Sequence, residues 1–439
     1  MDAVTSAAPY SDDKQSKLAD IAIGVIIGRT SEFFDFFVFA IASVLVFPEY
    51  IFPFASPVAG VLYSFLVLAL AFLARPVGTL IFTEIDIRYG RGAKLTTALF
   101  LLGMSTVAIS FLPSYGQEGW LTIASLCLFR MGQGAALGGA WDGMSSLLAM
   151  NAPVERKGRT ATIPQIGAPV GLILASGLFI FLKTTLTHEE FISFGWRYPF
   201  FVAFAINVVA LFARLRLVVS DEFRELFSES DLSPRPVPQT IREDWLNIII
   251  GAFTPLATLA LFHMVTVFPL GWIYLHAPGD DTAFLAIEII GALFGLGALI
   301  ASGRIADQVG RRTLLTYCAV GIAAYAVVSP LILGLGRSGE ALYVILGFTL
   351  LGLSFGQSSG AVASGFSPRN RYTASNLTAD LSWMFGAGFA PFVALSLTET
   401  LGLWSSGAYL FSGAICTLVS LTLFRRRQEE RLSRDGSWR

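Results

Sequence analysis

Residues 303–312 read GRIADQVGRR, and an earlier stretch, FTEIDIRYGRGAKL at 82–95, repeats its skeleton, with Gly90 on Gly310 and Arg91 on Arg311. Each is a short basic connection between two apolar runs. A helix that spans a bilayer needs about 20 mostly apolar residues. Twelve such runs can be marked outward from these loops: 19–48, 56–82, 94–113, 119–149, 160–183, 199–219, 245–274, 283–303, 313–335, 341–366, 373–397 and 403–424. The first loop joins the second and third runs, and the second joins the eighth and ninth. The same loop in the same place of each half means a duplicated plan of parallel topology. Backbone polar groups must be closed within each segment in lipid, and the glycine-rich runs lack the alternation of a membrane barrel. The expected fold class is an all-α membrane protein with twelve transmembrane helices in two six-helix pseudo-symmetric bundles.

Composition points the same way. The 439 residues are 54% hydrophobic and 14% charged, more apolar surface than a soluble domain of that length can hide. A net charge of -1 gives no field for a nucleic acid or another polyanion. Cys127, Cys318 and Cys416 stand apart in apolar stretches, without the spacing of a metal site or a disulfide framework, and read as packing residues. The polar first eighteen residues end without a small-residue cleavage pattern, so the first span is expected to serve as an uncleaved insertion signal.

Lys and Arg are concentrated in alternate connections: Arg88, Arg91 and Lys94; Arg156, Lys157 and Arg159; Arg304, Arg311 and Arg312; Arg369 and Arg371. These are expected to be cytoplasmic, with both termini on the same side. The expected organisation is a cytoplasmic tail at 1–18, an N-terminal bundle at 19–219, a cytoplasmic linker at 220–243, a C-terminal bundle at 244–424 and a cytoplasmic tail at 425–439.

The stretch GRIADQVGRR resembles the cytoplasmic loop motif of the major facilitator superfamily. GRTSEFFDF (28–36), FLARPVG (72–78), RMGQGAALGGAW (130–141), GWRYPF (195–200) and SPRNRYTASNLTADLSWMFGAGFAP (367–391) are similar to its metabolite:proton symporter branch. The resemblance runs from the first span to the eleventh. In that branch the first loop reads Gly-Asp-Arg-x-Gly-Arg-Lys; here Asp86 precedes Ile87 at the aspartate position, and Gly92 replaces the last basic residue. Ala140 stands at the glutamate of a Gly-Gly-Glu-Trp motif, with Asp142 two residues on. Arg29 occupies a position that is commonly small or polar, and Asp380 falls where the branch shows asparagine.

Ionisable groups inside a membrane are expensive unless used or paired, so each marks a candidate site. Arg29, Glu32 and Asp35 recur at i and i+3 on roughly one face of the first helix. Two roles fit them: anion binding by Arg29 with proton exchange at Glu32 or Asp35, or a structural ion pair. Arg130, in the RxxQG pattern that the resemblance associates with coupling and substrate binding, either holds a carboxylate in its planar fork or serves as counter-ion to Glu32 or Asp35. Gln133 is one turn away. In the second half His263, Gln357 and Trp383 are candidate substrate contacts and Asp380 a second protonation site, while Glu288 reads as an outer gate residue. Arg75, Asp86, Arg88, Arg91, Asp142, Asp307 and Arg311 are read as gate or loop-motif residues. The stretches GQGAALGG, GAPVG and GALFGLG lack the lysine of a phosphate loop and suit close helix packing, and Pro164 and Pro169 can soften the fifth helix.

The expected function is proton-coupled symport of a small organic acid by alternating access in the plasma (inner) membrane. The partners are an organic anion, protons and the lipid bilayer, with no nucleic acid and no cofactor or metal. The chain is expected to act as a monomer and not as an enzyme, since no nucleophile, base and orienting acid assemble in any loop. The alternatives are transport of a zwitterionic compatible solute such as betaine or proline and, from another class, a non-transporting sensor on a carrier fold.

Overall fold

A computed structural model describes residues 9–140, 148, 152, 154–219, 233–363, 366 and 369–434. The described residues contain helices and no strand. Among the described residues ten helices are long and apolar enough to cross a membrane. One of them, Pro57–Ser110, is two spans joined through a break at Gly90, and Pro9–Leu45 completes the set of twelve.

In chain order the spans are α1 (Pro9–Leu45), α2 (57–89), α3 (91–110), α4 (Trp120–Gly139), α5 (Lys157–Thr185) and α6 (Tyr198–Val219) in one bundle. The other bundle holds α7 (237–276), α8 (Asp281–Val309), α9 (Arg311–Leu333), α10 (Arg337–Ala363), α11 (Arg371–Leu401) and α12 (Ser406–Arg434). The helical backbone of α1 begins before the apolar run, and α12 continues to Arg434 beyond it. Hydropathy marks where lipid stops; helix-forming polar residues carry the helix further. Residues 237–243, part of the expected linker, are helical, and 220–232 lie outside the described residues.

Gly90 has φ 83° and ψ 167°, and Gly310 has φ 87° and ψ 142°, so both loops of the sequence repeat turn through a backbone state open in practice only to glycine. Shared sequence and shared dihedrals at equivalent places make the pseudo-symmetry a property of the chain. Elsewhere small residues set the helix spacing. A Cβ on Gly134 would stand 2.1 Å from the Ala71 carbonyl oxygen, so α4 and α2 touch backbone to backbone.

Three spans are broken, each at proline. In α5 a turn of 3-10 helix covers Ile163–Gln165 at Pro164. α7 consists of Val237–Phe253, Leu256–Thr266 and Phe268–His276, interrupted at Pro255 and again before Pro269. α11 loosens into a π turn at Met384–Gly388, just before Pro391, whose missing N–H leaves the ladder one bond short. The Tyr409 hydroxyl of α12 reaches the Phe385 and Gly386 carbonyls there, at 3.3 Å each. All three broken helices face the other half.

If the positive-φ glycines fix the duplicated loops, Gly310→Ala destabilises the purified protein by about 1–3 kcal/mol. Gly92→Ala, where a Cβ meets nothing within 4 Å, leaves it unchanged. Thermal melts in detergent compare the two, and equal melting temperatures would refute the assignment.

Candidate functional site

The two halves meet at the face carrying the basic loops, through a pair of clamps related by the repeat. In the second-half clamp, Asp307 Oδ1 accepts the Gly158 amide at 2.6 Å, and Oδ2 lies 3.2 Å from Arg159. Gln357 Nε2 donates to the Gly158 carbonyl at 3.1 Å, while Arg311 donates to Gln357 Oε1 at 3.3 Å and to the Lys157 carbonyl at 3.4 Å. α5 and α8 approach so closely here that a Cβ on Gly158 would lie 2.5 Å from the Gly303 carbonyl oxygen. Loop α8–α9 therefore grips the start of α5.

The first-half clamp does the same to the start of α11. Buried Lys94 lies 3.2 Å from Asp86 and donates to the Tyr372 hydroxyl at 2.8 Å, which in turn donates to Asp86 at 3.2 Å. Arg91 stacks over the Tyr372 ring at 5.3 Å. Among the described residues Arg88 pairs with Glu84 on the same helix, and it is exposed. One turn further into α11, Asn376 donates to the Gly138 carbonyl at 3.4 Å. Asp380 then accepts from Arg75 at 3.0 Å and from the Thr79 hydroxyl. Tyr372, Asn376 and Asp380 recur every four residues, so one face of α11 carries all of these cross-half contacts. Asp142 lies outside the described residues.

Deeper in, seven aromatic rings close the centre: Phe33, Phe36 and Phe37 of α1, Phe72 of α2, Phe262 of α7, Phe355 of α10 and Trp383 of α11. His263 is fully buried among them, its ring 5.4 Å from Phe36 and nearly parallel. Neither ring nitrogen has a hydrogen-bond partner of good geometry among the described residues, and the Ala387 backbone is the polar group beside it. Next to the cluster is an apolar pocket between α1, α5, α7, α8 and α10, lined by Phe37, Leu172, Thr266, Leu299 and Leu351 among others. Thr266 turns its hydroxyl back to the Phe262 carbonyl at 2.7 Å, so the pocket presents almost no polar surface.

Polar chemistry is gathered on the N-terminal side of the rings, in two networks. In the first, Glu32 accepts from Arg29 and from Arg214 of α6, both at 2.6 Å. In the second, Asp35 accepts from Thr106 at 2.7 Å and from Gln133 at 3.4 Å. Gln133 Oε1 accepts Arg130 Nη1 at 2.9 Å, and Arg130 Nε donates to the Leu68 carbonyl at 3.4 Å. The Arg130 guanidinium packs 3.9 Å from the centre of the Phe39 ring, is buried, and leaves Nη2 with no acceptor among the described residues. Glu32 and Asp35, though three residues apart on α1, thus serve different neighbours.

Several of these residues are not evident from sequence. Arg214 sits near the end of an apolar run, and its charge there is the signal that could have found it. Lys94, counted only as a loop charge, is among the most deeply buried side chains. At the opposite face, Lys183 of α5 and Asp281 of α8 form an ion pair between the halves. Arg197 of the GWRYPF stretch ties the start of α6 to the Ser110 and Leu112 carbonyls. The halves are therefore in contact at both faces, with the aromatic centre enclosed. Among the described residues no group of three or more His, Cys, Asp or Glu is placed to hold a metal ion.

Two related bundles closed at both ends over a buried centre are the architecture of a membrane carrier. The family model of the Major Facilitator Superfamily matches residues 25–391, and the chain belongs to that superfamily. It is 33% identical over 421 residues to the inner membrane metabolite transport protein YhjE of Escherichia coli K12, covering 94% of this chain and 95% of that one. It is 28% identical to the shikimate transporter of the same organism, over 94% and 96% of the two chains. Among solved structures, the D-xylose-proton symporter superposes with a TM-score of 0.70 at 15% identity, covering 92% of this chain and 96% of that one, which shows the fold.

The clamp geometry carries a direct test. With Cys127, Cys318 and Cys416 replaced, a single cysteine at buried Ser302 is shielded from a membrane-impermeant maleimide. Asp307→Ala removes the acceptor of the Gly158 amide, and labelling from the basic face accelerates about tenfold, as a loss of ~1.4 kcal/mol of closure requires. Unchanged labelling would show that Asp307 does not hold this face shut.

Proposed function

We propose that the protein is a proton-coupled symporter of a small organic acid, with Arg130 as the group that binds the carboxylate. The observation that carries this reading is the Nη2 of a buried guanidinium, which has no acceptor among the described residues and is linked to its neighbouring acid, Asp35, through Gln133. A buried cation without a direct counter-ion favours an anion strongly, and its planar fork suits a carboxylate. Phe36 and Phe37 lead from Arg130 to the apolar pocket, which would receive the body of the acid. The relative named as a shikimate transporter acts on a carboxylic acid, in keeping with this class.

Coupling follows from the shared network. When a carboxylate binds Arg130 and competes for Gln133, Asp35 loses the field that favours its charge, and a proton joins it. Anion and proton then cross together without net charge. Arg29 is held with Arg214 by Glu32 and sets the position of α1. Asp380, bound to Arg75, locks the halves together and opens on the basic side. Gln357 acts in the clamp, while His263 and Trp383 shape the aromatic wall. The bundles at 19–219 and 244–424 are the rocking units, the basic face and both termini are cytoplasmic, and the carrier works as a monomer without enzymatic chemistry.

A second reading is kept for the aromatic centre, since rings around a cavity also attract quaternary ammonium groups. A relative from Staphylococcus aureus, 28% identical, is described as a proline/betaine transporter.

Uptake by membrane vesicles with an imposed inward proton gradient, over a panel of carboxylates and zwitterions, tests both. Accumulation of a carboxylate is expected to rise as the outside is made acid. Arg130→Gln lowers it by at least about tenfold, in line with ~1.5–3 kcal/mol for a hydrogen bond to a charged group. Arg130→Lys recovers it only in part. Accumulation of betaine or proline instead, unaffected by Arg130→Gln, favours the second reading and refutes the first.

A further inference from the structure

Glu288 of α8 is fully buried, and neither carboxylate oxygen has a hydrogen-bond partner among the described residues. Asp281 stands seven residues before it and Gly295 seven after it on the same helix. Seven residues are close to two turns, so the three share one face. Asp281 makes the ion pair to Lys183 that joins the halves away from the basic loops, and Gly295 lines the apolar pocket. Glu288 thus lies midway between the outer lock and the enclosed centre, on the face of α8 that the lock covers.

The titratable groups on the packed elements are engaged elsewhere. Lys183 of α5 is bound to Asp281. Tyr343 of α10 donates to the Met264 carbonyl at 2.5 Å, and Tyr325 of α9 to the Tyr343 carbonyl at 2.9 Å. Glu340 of α10 lies in the field of Asp280 and Arg337 near the outer face. On α7, His276 lies 3.5 Å from Glu399, and Tyr274 is in the field of Glu49 and Asp281. Burying an ionised carboxylate with neither counter-ion nor hydrogen bond costs several kcal/mol, and one in a membrane helix marks function by default.

We propose that Glu288 is a second proton-binding group of the transport cycle, sealed as the neutral acid while both faces are closed and reached by water when Lys183 and Asp281 part. The chemistry is one O–H bond, formed as a hydronium ion of the outer water gives its proton to the Glu288 carboxylate and broken when that proton passes to water admitted to the centre from the basic face. No other reactant takes part. The proposal rests on the symport reading above and adds a site in the C-terminal half to the Asp35 network in the N-terminal half.

Two measurements on the full chain in lipid decide it. In infrared spectra the wild type is expected to show the C=O stretch of a protonated carboxylic acid that Glu288→Gln lacks; its absence from the wild type overturns the proposal. In proteoliposomes, Glu288→Gln is expected to keep solute counterflow at equal pH within about twofold, while gradient-driven accumulation falls at least about tenfold. Accumulation with an unchanged pH profile overturns it. Should Glu288→Gln not reach the membrane, Glu288→Asp is expected to shift the pH profile of accumulation, and an unshifted profile counts against the proposal. If the wild type accumulates no solute, the symport reading fails, and the infrared band still decides whether Glu288 holds a proton.

Discussion

A charge inside a bilayer has no water to turn to, and this structure is organised by how each buried charge is answered. Glu32 is answered by Arg29 and Arg214, Asp380 by Arg75, and Asp86 by Lys94 and Tyr372. The first of these fixes α1 against α6 within one half. The other two cross from one half to the other, so breaking them and separating the bundles are the same event. Charges placed this way add little net stability against an apolar packing of the same volume. Their worth is in specifying which arrangements of the two halves exist.

The duplication determines where those charges fall. One loop skeleton, turned through glycine at positive φ in each half, presents an acid and a base to the start of a helix in the other half: Asp307 and Arg311 to α5, Asp86 and Arg91 to α11. The grips differ in detail because the sequences differ. Gly158 leaves its backbone bare and is held by its amide and carbonyl, whereas Tyr372 offers a hydroxyl and a ring. Between the clamps and the Lys183–Asp281 pair at the opposite face lies an aromatic centre whose polar groups include His263, Thr266 and the edge of the Arg130 network.

Local and periodic features were legible from the sequence: the twelve apolar runs, the matched glycines, the i,i+3 pair of Arg29 and Glu32, and the loop that carries Asp307 and Arg311. What escaped reading is what depends on distant pairing. Glu32 and Arg214 are 182 residues apart, and Arg75 and Asp380 are 305 apart. No periodicity connects such positions. Gln357 is a polar group in an apolar helix, and that property does not reveal that its amide meets Arg311 and the Gly158 carbonyl. The π turn of α11 was hidden too, since Pro391 announces a weakened ladder but not how the chain absorbs it.

On the proposed mechanism a carboxylate and a proton enter one connected network, Arg130–Gln133–Asp35, and cross together. It is tested most directly by purified protein in liposomes carrying a pH-sensitive dye, with no gradient imposed and the carboxylate added outside. The account predicts that the interior turns acid as the solute enters, in a fixed ratio, and that Asp35→Asn abolishes the acidification while leaving solute exchange. Entry of the carboxylate with no change of interior pH would contradict it.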